Sequence, residues 1–405
     1  MRILVSGASI AGPVLAYWLT RRGFDVTVVE RAPALRKTGG HAVDLFRPAM
    51  NISEQMGVIE QVQARATGTT RLILQRTGGR RPVNVDYVKL ASVMSDRHVE
   101  IMRDDLSQIY YDAGRDHIEY LFDDQITAIA DDGTVDFGRT APRHYDVVVG
   151  ADGLHSGVRQ LVFGPDSGHT RFLGGYLAVL SVPKELARDG ESTNFVDTRR
   201  WAMIYTADHL DDARAVFLFR PEAPLDYHHR DDARQRLLLR SAFAGLNPVV
   251  DRWLGELDGP GTFYFDSITQ LELTSWSRGR VTLVGDAGYC PGPAVGGSTS
   301  LAVLGAYVLA GELERAGGDH VAAFAAYEAV MADPVRHSRA FARTVAKTLV
   351  PRSELGVWAL VNAGRTLSAL PGRLTRAIAR LNNKGVRLYD AMGYPDYPLG
   401  ASAID

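Results

Sequence analysis

The 405-residue chain has a single cysteine, Cys290, which excludes an internal disulfide and a cysteine-based metal cluster. It has almost no net charge, −2 at pH 7, and so lacks the electrostatic footprint of a nucleic-acid binder. Its longest apolar stretch, around Leu301 to Gly311, falls well short of the roughly 20 residues needed to cross a bilayer. No secretory leader is expected, because Arg2-Ile-Leu-Val-Ser-Gly7 already reads as a core strand. Internal repeats and low-complexity tracts are missing too. What remains is a globular composition, 46% hydrophobic and 23% charged. The length calls for two interlocked domains rather than one core. These features point to a soluble cytoplasmic protein, monomer or homodimer, with no nucleic-acid or membrane partner.

Residues 2–6 form an apolar strand, and Gly7-Ala-Ser-Ile-Ala-Gly12 turns it into a helix from Ala11 to Arg22. Asp25-Val-Thr-Val-Val-Glu30 follows as a second buried strand, completing a βαβ start. The turn resembles G-x-G-x-x-G with Ser9 in the middle glycine's place. Gly7 permits the tight turn, Gly12 permits close helix–strand packing, and the backbone of Ser9, Ile10 and Ala11 is placed to meet a pyrophosphate. Glu30 lies 18 residues beyond Gly12, where an acid meets a ribose hydroxyl and disfavours a ribose 2′-phosphate. Packing alone could also explain these glycines.

Two further buried strands end in acid. Tyr145-Asp-Val-Val-Val-Gly-Ala-Asp152 runs into Gly153, a pair that is often a plain turn signal. Arg280-Val-Thr-Leu-Val-Gly285-Asp286 runs into a Pro/Gly loop through Pro293, then Gly296-Gly297 and a long helix. That order sets a carboxylate beside the positive end of a helix, as a cofactor's polar groups require. Between 71 and 96, and again over 172–269, apolar and polar residues alternate with many aromatics, which predicts an antiparallel sheet. Trp201, Met203 and Tyr205 share one face of their strand, and Phe217 and Phe219 share one face of the next. With Tyr176 they are the candidate substrate wall, although core packing explains them equally well. The paired His228-His229 reads as a solvated loop, Cys290 as an inert thiol, and no metal site is expected.

Taken together, Gly7–Gly12 with Glu30, Arg103, Asp152-Gly153 and Gly285-Asp286 resemble the single-component FAD-dependent aromatic hydroxylases, the p-hydroxybenzoate hydroxylase type. The first half looks most similar to the tetracycline-inactivating flavin monooxygenases. About three quarters of the chain is covered. The resemblance implies an α/β fold: a Rossmann-like FAD-binding domain, a mostly antiparallel substrate domain and a helical C-terminal segment. The expected division is 1–70, 97–171 and 270–345 for the first, 71–96 and 172–269 for the second, and 346–405 for the last. Carried across by motif, Glu30 would bind the adenosine ribose with Arg31 beside it. Asp44, in Gly39-Gly-His-Ala-Val-Asp44, would be the acidic member of the loop passing the flavin. His41 in the same loop reads either as a donor toward flavin or substrate or as a structural loop histidine. Arg103 would reach the cofactor, Asp286 would hold the ribityl chain, and Pro293, Gly296 and Gly297 would flank the isoalloxazine.

The implied activity is that of a monooxygenase. FAD is reduced by NADH or NADPH, O2 is captured as a C4a-hydroperoxide, and an aromatic or polyketide-like substrate is hydroxylated. Competing readings are a flavin oxidoreductase without oxygen insertion and a non-catalytic flavoprotein with a basic C-terminal helix. Only one strand–glycine-turn unit occurs in the sequence, which disfavours families with a second nucleotide domain. The five tryptophans contain no Trp-x-Trp pair of the flavin-dependent halogenase kind. Several positions depart from the family: Ser9 for glycine, Gly288-Tyr289 for Ala-His, Ser298 and Ser300 for Gly and Asn, and Gly305 where Asp is frequent.

Overall fold

The computed structural model describes residues 1–35, 40–79, 81–89, 95, 97–293, 297–369 and 392–399. Its first core is a six-stranded sheet. The strands run in the order Ser277–Arg278, Val281–Leu283, Val147–Gly150, Arg2–Ser6, Asp25–Glu30 and Glu119–Phe122. All neighbours pair in parallel except the Ser277–Arg278 hairpin strand. Strands buried on both faces read as continuous apolar runs, and this explains why Ile3-Leu-Val and Val147-Val-Val were legible at once. Helices Ala11–Thr20 and Ser298–Arg315 pack on one another over this sheet.

The second core is a seven-stranded sheet in the order Phe263–Leu271, Thr170–Pro183, Asp212–Phe219, Arg200–Tyr205, Glu191–Asp197, Arg71–Arg76 and Val83–Asp86. It is antiparallel throughout except where Arg71–Arg76 lies parallel to Glu191–Asp197. One face packs on helices Asp232–Phe243 and Pro248–Gly255, and the other on the second half of the long helix His320–Thr348. That helix runs across the boundary expected near residue 345. A two-stranded ribbon, Ala42–Leu45 with Val99–Met102, lies between the two cores. Val43, Leu45, Val99 and Ile101 pack on the first, while Ala42 and Met102 join the second. This ribbon was not anticipated, because its strands are only four residues each and the segment reads as loop.

The basic stretch expected near Arg365 to Arg387 lies mostly outside the described residues. The segment 392–399 returns to the first core. There Tyr397 is buried on helix Ser298–Arg315 at Gly311, where any side chain would overlap the tyrosine ring. Tyr397 donates to Glu312 Oε1 at 2.6 Å, its backbone N–H donates to Tyr307 Oη at 3.1 Å, and Arg315 lies over its ring. Tyr397→Phe is expected to lower stability by about 1 kcal/mol, since Arg315 still serves the carboxylate. Urea denaturation unchanged by this variant would show that the tail does not hold the helix.

Candidate active site

Four segments converge at the carboxyl end of the parallel sheet. Gly7 has φ of +107°, and a Cβ there would come within 2.6 Å of the Ala151 carbonyl, so the first turn sits directly on the Asp152 loop. A Cβ on Gly12 would overlap the Gly7 carbonyl oxygen. Gly285, at φ +65°, is wedged between Ala11 and Ala302 at 3.3 and 3.2 Å from its notional Cβ. The starts of both long helices thus meet at one point, with Ile10 just before the first and Gly297 just before the second. Both helix starts leave backbone N–H groups for an incoming anion or ring edge.

The Glu30 carboxylate accepts from Ala8 N and Ala32 N, each at 2.9 Å, which fixes it at the strand end beside the glycine turn. Arg31 is exposed next to it. Arg103 opens helix Arg103–Asp112 and donates to Ser9 Oγ at 3.2 Å, while Ser107 donates to the Ser9 carbonyl at 2.9 Å. The serine in the glycine position is therefore an anchor for the Arg103 helix. Arg103 also acts electrostatically on Asp286, His41 and Tyr264.

Asp286 is held above the ordinary carboxylate range by burial, against the pull of Arg103 and a Cys290 hydrogen bond. Burial raises the Cys290 thiol well above its usual value, and the neighbouring carboxylate adds to this. The cysteine is therefore an un-ionised donor. Asp152 is likewise raised by burial, though Ser156 Oγ and Val158 N donate to it at 2.5 and 3.1 Å. Burial, aided by Arg103, lowers His41 to about 4, so the imidazole is neutral at pH 7.

Asp44 lies in the ribbon rather than a loop, with its carboxylate 2.6 Å from His98 Nε2. Its cross-strand neighbour Glu100 accepts from Thr67 and Tyr87 at 2.5 and 3.1 Å, and burial followed by the Asp44 charge raises its carboxyl. Sequence pattern gave no signal for this group. Ser300, flagged as a departure, is buried and ties the ribbon to the helix through Phe46 N at 2.9 Å and the Asp44 carbonyl at 3.3 Å. Pro293 is half-buried, and Gly296 lies outside the described residues.

The candidate substrate wall divides. Trp201, Met203 and Tyr205 face the ribbon and the long helix, and Tyr205 Oη accepts from Ala42 N at 2.7 Å. Phe217 does not join them. It is fully buried on the opposite face, with ring centroids 5.0 Å from Phe243 and 6.5 Å from Trp253. Alternation grouped it correctly with Phe219, but that face is the one covered by helices. Phe217 and Phe219, and with them Tyr176, are therefore removed from the wall. Tyr264, which sequence reasoning overlooked, is on the cofactor side of strand Phe263–Leu271.

The geometry is that of a Rossmann-type nucleotide fold in which a second glycine turn, at Gly285, closes against the start of the first helix. The glycine cradle and the half-buried Asp286 fit FAD. Comparison with known proteins agrees. A family profile described as "FAD binding domain" matches residues 1–318. The chain is 36% identical over 380 residues to a flavin-dependent monooxygenase from an unknown prokaryotic organism, covering 93% of this chain and 97% of the relative. It is 41% identical to an uncharacterised protein of Mycobacterium tuberculosis, over 81% of this chain and 88% of that one. The crystal structure of tetracycline destructase Tet(55) is similar at 34% identity and TM-score 0.81, covering 98% of each chain. The chain belongs to the FAD-dependent monooxygenases of the aromatic hydroxylase type.

Proposed function

We propose that this enzyme uses NADH or NADPH and O2 to hydroxylate an aromatic, polycyclic or polyketide-like small molecule. The observation that carries the reading is the seam between the cores. There the half-buried Trp201, Met203 and Tyr264 cluster with Ala42 and Met102 of the ribbon that leads into Arg103, and Arg103 acts electrostatically on Tyr264, His41 and Asp286. A wide apolar wall opposite a cofactor's reactive end suits a flat, fused-ring substrate. The polycyclic substrate class in the name of the tetracycline destructases supports the same choice.

In this reading residues 1–70, 97–171 and 270–345 hold FAD, and 71–96 with 172–269 shape the substrate side. The N–H groups of the Gly7–Gly12 turn bind the pyrophosphate, and Glu30, fixed by Ala8 and Ala32, takes the adenosine ribose. Asp286 accepts from the ribityl chain, and the helix starting at Ser298 faces the ring edge. Bound FAD supplies the redox chemistry that transfers one oxygen atom from O2 to an electron-rich ring. His41, neutral at pH 7, positions a substrate hydroxyl by a hydrogen bond. With one glycine-turn unit in the sequence, the nicotinamide docks transiently without a domain of its own.

The test is NAD(P)H consumption by the FAD-loaded protein with a panel of fused-ring phenols under labelled O2. The expected result is substrate-stimulated consumption and a product carrying one 18O atom. Turnover with no label in the product would favour an oxidoreductase that inserts no oxygen, and this reading would fall.

A further inference from the structure

The Asp152 loop is gripped from both sides. The buried Arg159 guanidinium donates to Leu154 O, to Ala287 O at 3.0 Å, and through Nε to Asp166 at 2.8 Å. This ties the loop to the short helix that begins at Asp286. On the other side His155 Nε2 lies 2.8 Å from Asp266 Oδ2 in strand Phe263–Leu271 of the second core. The Asp266 side chain is only 5% exposed, so it depends on partners rather than water for its charge. Ser267 N and Tyr264 Oη donate to it at 2.8 and 3.3 Å, and His155 supplies the countercharge. We propose that His155 and Asp266 form a protonation-controlled clasp that positions the cofactor-binding Asp152 loop on the substrate-side sheet.

Every element packed here contributes a titratable or charged group. From the loop before helix Asp232–Phe243, His229 stacks on His155 at 4.6 Å and 8°, with His228 4.4 Å further along. Arg230 and Tyr227 come from the same loop, Tyr227 acting on Asp266. Asp166 and Arg159 face His155 from its own side of the seam, and Tyr264 from the strand. The Asp266 hydrogen bond raises His155 above the ordinary imidazole value, outweighing the partial desolvation of a side chain that is 43% exposed. Burial and then the His155 charge lower His229, the opposite direction to His155 itself.

The sign follows from these directions. A histidine raised in the folded protein contributes fully below its ordinary value of about 6.5, and the contribution fades as pH climbs through the raised value. The loop rests on Gly7 and carries Asp152, so loosening it weakens FAD binding. A charge-independent packing role would give no such pH profile. The clasp requires only that the protein binds FAD, not the substrate proposed above, and the two readings fail separately.

FAD affinity of the apoprotein, read by flavin fluorescence from about pH 6 to about pH 9, tests it. The wild-type Kd is expected to rise roughly fivefold across that range. His155→Gln and Asp266→Asn are each expected to bind FAD more weakly at the acid end and to lose most of the slope. The double variant should match either single one. A wild-type slope retained in His155→Gln would overturn the proposal. If these variants do not fold, imidazole proton NMR of the wild-type protein decides: His155 titrating at or below the ordinary value would equally refute it.

Discussion

Gly305→Ala is expected to destabilise the protein by about 2 kcal/mol, although alanine is the better helix former. The midpoint of helix Ser298–Arg315 presses on Tyr289, and a Cβ at 305 would overlap the phenol oxygen. Tyr289 cannot swing aside. It is buried against Trp276 at 4.8 Å, and its Oη lies 3.0 Å from Tyr327 Oη, which also donates to the Leu283 carbonyl at 3.0 Å. Overpacking of about 3 kcal/mol outweighs the roughly 1 kcal/mol of helix propensity gained. Gly305→Asp, the residue frequent in the family, should cost about 4 kcal/mol, because a carboxylate would enter without a partner. Tyr289→Phe removes the obstructing oxygen and leaves the ring carbon 3.1 Å from the new Cβ. In that background Gly305→Ala should cost at least about 1 kcal/mol less, a coupling measurable by a double-mutant cycle. Strict additivity in urea denaturation would refute the packing account. Two departures that look independent in the sequence are here one steric solution.

Asp286→Ala is expected to weaken FAD binding by about 1.5–3 kcal/mol, or roughly 10- to 150-fold in Kd. In the binding mode proposed above, Asp286 accepts from a ribityl hydroxyl, and alanine leaves that hydroxyl unpaired. Without cofactor the same carboxylate works against folding. Its folded-state value is raised by burial, so the folded form holds its proton more tightly than the unfolded chain does. This group's contribution to apoprotein stability therefore grows as pH falls through its raised value, is complete by the ordinary aspartate range, and is lost as pH rises through the raised value. Asp286→Asn should make the apoprotein more stable at pH 7, with the advantage disappearing in acid, while FAD affinity drops. Melting temperatures across pH, set beside FAD titrations, check both halves. A variant that lost apoprotein stability at pH 7 yet retained FAD would show that Asp286 is a structural residue.

Much of the cofactor half could be read directly, because it is local. Gly7, Gly12 and Glu30 act within one βαβ unit, where strand length and helix periodicity fix their relative positions. Gly285-Asp286 was legible for the same reason, as a strand end followed by a turn. The substrate side was less so. Alternation correctly assigned Trp201, Met203 and Tyr205 to one face and Phe217 to another set, yet it carries no information on which face meets the cofactor. The Asp44–His98 and Glu100–Tyr87 contacts, and the His155–Asp266 clasp, join segments up to 111 residues apart. No periodicity records such pairs.

Residues close together in the chain suffice for the nucleotide-binding start, the acidic strand ends and the family. Tertiary structure alone decided that Ser9 anchors Arg103, that Tyr289 requires Gly305, and which sheet face lines the seam. Those outcomes depend on where separate segments close-pack, and excluded volume between distant side chains is settled only when the chain has folded.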